Sequence, residues 1–331
     1  MNNQYLFNIK YYDSLYYDNI NTDENIKKVN KEIINYKLSK EEVGDICKGL
    51  DHLDQFRSFR LKTCYPGLLI GVGNPHASGN NSEEIKLGFT LDYTTGLPYI
   101  PGSTVKGVIR SIFKKYDEKG KEETVEHFNS RIEAYKVRLE YLKEAVLNII
   151  PNSQKESVFD GKEKDIIQRL EKEIFGDKES GKGDIFFDAF PVCGGENDII
   201  FALDSITPHE QLKNPVPIRM LKILPDVEFQ FGFILKDSQI ITGLTAENKE
   251  KLFKKILCDF GIGAKTNVGF GSLCSENRHE DSGKCRRCGR AIDEKQNGKY
   301  CEECAHLRPK CTCKKKKVEW DSSINDWESF A

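Results

Sequence analysis

Two pairs of cysteines near the C-terminus could do the most specific chemistry in this chain. Cys285-x-x-Cys288 is followed, after twelve residues, by Cys301-x-x-Cys304. Within each pair the spacing lets both thiolates reach one ion, and four soft sulfur ligands suit a tetrahedral zinc. A closed shell of four thiolates leaves no position for a substrate, so the expected Zn2+ is structural, one per chain. Two disulfides are the alternative, which a reducing compartment disfavours. Cys311 and Cys313 stay open: they could replace a ligand, join His279 or His306 around a second ion, or remain free. Cys47, Cys64, Cys193, Cys258 and Cys274 are scattered and read as buried or free thiols.

A second pattern suits a polyanion. In the stretch from Gly96 to Arg110, GLPYIPGSTVKGVIR, Pro101-Gly102 signals a chain reversal and Ser103 is placed to cap a helix. Val105, Val108, Ile109, Ile112 and Phe113 then share one helical face, while Lys106, Arg110 and Lys114 recur every four residues on another. Bare N–H groups in a first helical turn and the positive end of the helix dipole favour phosphate, and Gly102 permits close approach of a backbone. The plainer alternative is a surface helix whose Lys and Arg are only solvated.

A second glycine loop, GIGAKTNVGFG from Gly261 to Gly271, invites comparison with a nucleotide-binding P-loop and fails it. Ala264 stands where the glycine before the lysine is needed, and Asp259 where the first glycine belongs. His76 and His209 each follow a proline, which marks turns, and neither has a partner at fixed spacing; no catalytic residue is assigned.

The elements that must position these residues follow from periodicity. Residues 20–61 read as one or two helices, with Ile46, Leu50, Leu53 and Phe56 at helical spacing. GLLIGVGNP is an apolar run ending in glycines, His76–Glu84 is a polar loop, and in IKLGFTLDYTTGLPYI alternation and Thr-Gly suggest paired strands. Residues 114–175 read as a charged helical insertion broken near Pro151, most of its charges forming a solvated face. Strand signals return at DIFFDAFPV, IIFALDSI, PIRMLKILPDVEFQFGFIL and SQIITGL, with a helix from Ala246 to Asp259. That order predicts an α+β core on an antiparallel sheet with helices to one side. The chain has 331 residues, with 50 Lys and Arg against 52 acidic side chains, so a nucleic-acid surface must be a local patch. No apolar run approaches the roughly 18–20 residues that cross a bilayer, and the start lacks the order of a signal peptide. A cytoplasmic protein with no membrane partner is expected.

The quoted motifs also occur in a known order. GLPYIPGSTVKGVIR resembles the Pro-Gly-Ser-x-x-Lys-Gly-x-x-Arg segment of the RAMP superfamily, the RNA-binding subunits of CRISPR-associated complexes. Phe175-Gly176 leading into GDIFFDAFPV, then DSITPH, NPVPIRML and GIGAKTNVGFG, follow as they do in that superfamily, most closely in its type III-B Cmr branch. The resemblance implies a ferredoxin-like, RNA-recognition-motif-like RAMP domain over residues 1–274; the cysteine-rich zinc module at 279–313 and the basic then acidic-aromatic tail at 314–331 are read from their residues as additions to that core. It implies no enzymatic activity. Implied partners are CRISPR RNA, target RNA and other Cmr subunits, especially a neighbouring RAMP subunit and the terminal backbone subunit. With it, Gly102, Ser103, Lys106 and Arg110, and Gly263, Lys265, Thr266 and Asn267 in the second loop, become the expected RNA-contacting residues, the loop's ammonium, hydroxyl and amide groups meeting phosphate or ribose. An endoribonuclease that processes CRISPR precursor RNA and a zinc-ribbon protein-binding adaptor are the rival readings.

Overall fold

The computed structural model describes residues 2–16, 22–39, 52–76, 83–113, 124–177, 183–206 and 217–275. The expected zinc module and tail, with Cys285, Cys288, Cys301 and Cys304, lie outside these residues, as do Cys47, Lys114 and His209.

The chain opens with a short helical run: α1 (Asn3–Tyr5), a π-helical stretch (Leu6–Lys10) and α2 (Tyr11–Tyr16). Helix α3 (Thr22–Ile34) follows, burying Ile26, Val29 and Ile33. Strand β1 (Phe56–Thr63) comes next, where the sequence suggested helix up to residue 61. Phe56 and Phe59 are three apart, which fits a helix, but Phe59, Leu61 and Thr63 are all buried with Arg60 exposed and Lys62 partly exposed between them, the period of a strand.

The central architecture is β-α-β-β-α-β. After β1 come α4 (Gly102–Phe113), β2 (Ile185–Phe186) with β3 (Phe190–Cys193), β6 (Glu228–Ile234), α7 (Ala246–Phe260) and β7 (Leu273–Cys274). The antiparallel sheet runs β2-β6-β1-β7, with β3 also paired to β6. Counting β2 and β3 as one broken strand, this is the fourth-first-third-second order of a ferredoxin-like sheet, and the expected α+β class holds. Phe59 and Leu61 of β1 lie directly opposite Phe231 and Phe229 of β6, and Phe233 and Phe186 pack on Phe253 of α7 at centroid distances of 5.6 and 5.5 Å. Phe59, Phe229, Phe231, Phe233 and Phe253 are buried, and each contributes about 1.5–3 kcal/mol relative to exposure.

Insertions interrupt this frame. Between α4 and β2 lie α5 (Val125–Ile149) and α6 (Glu163–Phe175). Thr124 caps α5 by accepting the His127 N–H at 3.2 Å, and the helix stops before Pro151. The insertion is more than a charged face: Leu142, Ala145, Val146, Ile167, Leu170, Ile174 and Phe175 all join the main core. Between β3 and β6 stands a separate hairpin, β4 (Phe201–Ile206) with β5 (Ile218–Ile223). Two strand expectations fail. The described residues between 67 and 100 form only isolated bridges, such as Leu68 with Ile223 and Ile100 with Ala189. Residues 238–244 form a turn in which the Ser238 hydroxyl accepts the Ile240 and Ile241 N–H groups, a local bond that competes with strand pairing.

Candidate nucleic-acid interface

Helix α4 starts two residues earlier than a Ser103 cap would place it. The Pro101 carbonyl accepts the Thr104 and Val105 N–H groups at 2.8 and 3.1 Å, so Ser103 lies inside the first turn and is exposed. The capping group comes from elsewhere in the chain: Asp188 Oδ1 accepts the Gly102 N–H at 2.6 Å. This N–H is therefore not bare. Gly102 is buried against β2, where a Cβ would fall 2.3 Å from the Phe186 carbonyl oxygen. Glycine here lets the helix dock on the strand, correcting the expectation that it leaves backbone open to a phosphate.

Ser103 and Lys106 line an open groove of about 640 Å³, together with Phe175, Gly176, Asp177 and the segment Gly183–Phe186. The Lys106 ammonium stands 5.9 Å from the centre of the Phe186 ring. Arg110, one turn on, is held by α6: its Nε donates to Glu171 Oε1 at 2.9 Å and its guanidinium lies over Phe175 at 5.9 Å. The basic stripe thus divides, Lys106 on the groove and Arg110 in an ion pair that leaves its side chain 51% exposed. Burial raises the pKa of the Asp184 carboxyl at the back of the groove, while Lys249 acts in the opposite direction.

The second loop is built to be thin. Gly261, Gly263, Gly269 and Gly271 all have positive φ, and Lys265 itself is left-handed at φ 57°. A Cβ on Gly271 would fall 1.8 Å from the Ile262 carbonyl oxygen, and one on Gly263 would fall 2.4 Å from that of Leu69. The Ala264 N–H donates to the Leu69 carbonyl at 2.9 Å, and the Gly271 N–H to that of Gly67 at 2.8 Å. Beneath the loop a small apolar cluster of Leu69, Met220 and Phe270 joins it to the β4–β5 hairpin. What remains outside is the tip, with Lys265, Thr266 and Asn267 exposed.

The two loops stand at diagonal corners of the sheet. The α4 groove flanks β2, which pairs with Phe233 and Ile234 on β6, whereas the second loop leads into β7, which pairs with Lys62 and Thr63 at the other end of β1. The strand spacings separate them by about 17 Å along the strands and about 14 Å across them. A ligand touching both must be extended.

His76 is structural. It is 8% exposed, stacked on Phe7 at 3.8 Å, with Nδ1 2.9 Å from the Ile85 carbonyl and Nε2 2.7 Å from that of Phe7. Burial lowers its pKa, overriding the carbonyl contacts that favour the charged ring. Cys64 and Cys274 lie across the β1–β7 junction. The thiol hydrogen bond between them and burial push the Cys64 pKa up, as expected of an unreactive thiol. Among the described residues no cluster of three or more His, Cys, Asp or Glu is arranged to hold a metal. Sequence reasoning missed Asp188, which lies between the phenylalanines of GDIFFDAFPV and gives no local sign that it caps a distant helix.

A βαββαβ sheet joined to glycine loops defines a class, and comparison agrees: the chain belongs to the RAMP superfamily, whose profile matches residues 60–274. One relative is the CRISPR system Cmr subunit Cmr6 of Pyrococcus furiosus, 30% identical over 273 residues, which span 72% of this chain and 73% of that protein. Among solved structures, a chain of the type III-B Cmr-beta complex bound to cognate target RNA aligns at TM-score 0.48 and 22% identity, covering 76% of this chain and 71% of that one. The crystal structure of Pyrococcus furiosus Cmr6 aligns at TM-score 0.37 and 25% identity, covering 67% and 99%.

Proposed function

We propose that this chain is a non-catalytic, CRISPR RNA-binding subunit of a cytoplasmic type III-B effector complex, holding the 3′ part of the guide and capping the backbone filament. The observation that carries this reading is the 30% identity to Cmr6 across nearly three quarters of both chains. The exposed Lys265–Asn267 tip and the Ser103–Lys106 groove support it, because they offer ammonium, hydroxyl and amide donors suited to phosphate and ribose. Guide sequence varies, so binding must leave base edges free to pair with target RNA. No helix among the described residues is long and apolar enough to cross a membrane. Copurification from the host should recover CRISPR RNA together with a neighbouring RAMP subunit and the terminal backbone subunit. Recovery of proteins without RNA would favour the adaptor reading, and metal-independent cleavage of repeat RNA by the purified chain would favour an endoribonuclease.

The same reading includes one structural Zn2+ on Cys285, Cys288, Cys301 and Cys304. A module of this size has too little core to fold alone, so metal binding supplies on the order of 10 kcal/mol. Metal analysis after gel filtration should find one zinc per chain; two would bring in Cys311 and Cys313, and none would refute the site.

A further inference from the structure

The side chain of Lys249 on α7 is fully buried, and it meets two carboxylates: Asp184 Oδ2 at 3.1 Å and Glu173 Oε1 at 3.3 Å. Asp184 is itself 2% exposed in its side chain, and Glu173 21%. Taking a lysine wholly out of water is unfavourable, and an apolar side chain of similar volume is often at least as stabilising, so such a cluster is poorly explained by stability alone.

Its position suggests another role. Asp184 Oδ1 accepts the Lys236 N–H at 3.1 Å, and the Asp184 N–H donates to the Ile174 carbonyl at 2.8 Å. Gly183 sits so close to the end of α6 that a Cβ would lie 2.4 Å from the Ile174 oxygen. Gly183 and Asp184 thus form a partition. One side is the α4 groove with Lys106; the other is a cavity of about 450 Å³ lined by Lys249, Glu173, Arg169, Lys172, Lys236 and Asp237. Beyond the partition the chain runs directly into Ile185 and Phe186, the ring under Lys106.

We propose that Lys249 is a positioning residue for the α4 groove, touching no ligand but fixing, through Asp184, the Gly183–Phe186 wall against which a single-stranded RNA backbone is held. This rests on the RNA-binding reading above. Because Lys249 contacts no phosphate, its loss weakens binding without changing the salt dependence.

The test measures binding of a labelled single-stranded oligoribonucleotide by the full chain, at a temperature where circular dichroism shows each variant folded. Lys249→Met should weaken binding about tenfold, the lower end of what losing a supporting side chain costs a preorganised site, with an unaltered slope of log affinity against log salt. Asp184→Asn gives a sign test that a purely structural or purely electrostatic role does not share. Deleting a negative charge beside the groove would by Coulomb attraction tighten RNA binding, whereas loss of the anchor weakens it. Parental or tighter binding by folded Asp184→Asn overturns the proposal, and that variant decides alone if Lys249→Met does not fold. The double variant Lys106→Ala/Arg110→Ala separates the two levels. If it binds RNA like the parent, the RNA-binding reading of this groove fails; if it binds weakly while Lys249→Met and Asp184→Asn bind normally, only the positioning role fails.

Discussion

The glycine at the head of α4 and the glycines of the 261–271 loop look alike in sequence and serve different ends. Gly102 has ordinary helical geometry and is required by contact, since the helix start is pressed against the Phe186 carbonyl and its N–H is taken by Asp188. In the second loop the glycines hold positive φ and let two chain segments cross, which leaves Lys265, Thr266 and Asn267 as an outward tip. One corner of the sheet offers a groove whose cations are partly committed to neighbours, and the other offers a projecting loop. A glycine-rich motif next to basic residues therefore does not by itself say where backbone is open to a ligand.

This contrast is most easily broken through Gly271. Gly271→Ala should cost about 3 kcal/mol or prevent folding, because it combines strain at φ 75° with a Cβ 1.8 Å from the Ile262 carbonyl. Gly102→Ala should cost somewhat less, about 2 kcal/mol, being a steric clash without a dihedral penalty. Urea denaturation measures both, and native-like stability for Gly271→Ala would show that the crossing at Ile262 has room for a methyl group.

Salt dependence sharpens the comparison between corners. Removing one side chain that pairs with a phosphate lowers the slope of log affinity against log salt by about 0.7 for a single strand. Lys265→Ala should lower it by one such step. The Lys106→Ala/Arg110→Ala pair should lower it by less than two, because Arg110 already neutralises Glu171. Equal reductions per residue would mean that RNA displaces that ion pair.

A smaller effect concerns the N-terminal run that His76 ties to the Ile85 segment. Its folded pKa lies below the ordinary value of about 6.5, so the unfolded chain binds the extra proton first. Stability is thus complete above about pH 6.5 and declines as pH falls from there toward the folded value. His76→Phe should flatten this acid-side decline in a series of thermal melts; an unchanged decline would assign it to another group. The smallest expected change is Gly107→Ala. Nothing lies within 4 Å of a Cβ there, so the variant should gain about 0.5–1 kcal/mol of helix stability, in contrast to Gly102 five residues earlier in the same helix.

Much of this molecule is legible along the chain because its signals are local. The faces of α4 and α7 follow from apolar spacing, with α7 beginning at the Thr245 cap and ending at Gly261 as a local reading allows. The alternating phenylalanines of β6 mark a strand by their own period. Leu68, Leu69 and Ile70 are apolar for packing, Leu68 and Ile70 in the main core and Leu69 under the second loop, and their segment pairs only through isolated bridges. Phe56 misled because three-residue spacing does not distinguish a helix from a strand whose neighbours bury the odd residue.

The order of motifs, the class of fold, the two glycine loops and the tetrad of cysteines were present in the amino-acid sequence, since each depends on residues within a few positions of one another. Tertiary structure alone decided which of those loops projects an exposed tip, that Asp188 caps a helix 86 residues away, and that Lys249 is buried against Asp184. The reason is physical: a cap, an ion pair or a carbonyl contact between distant segments depends on where the sheet brings them, and nothing in the spacing of either partner encodes that meeting.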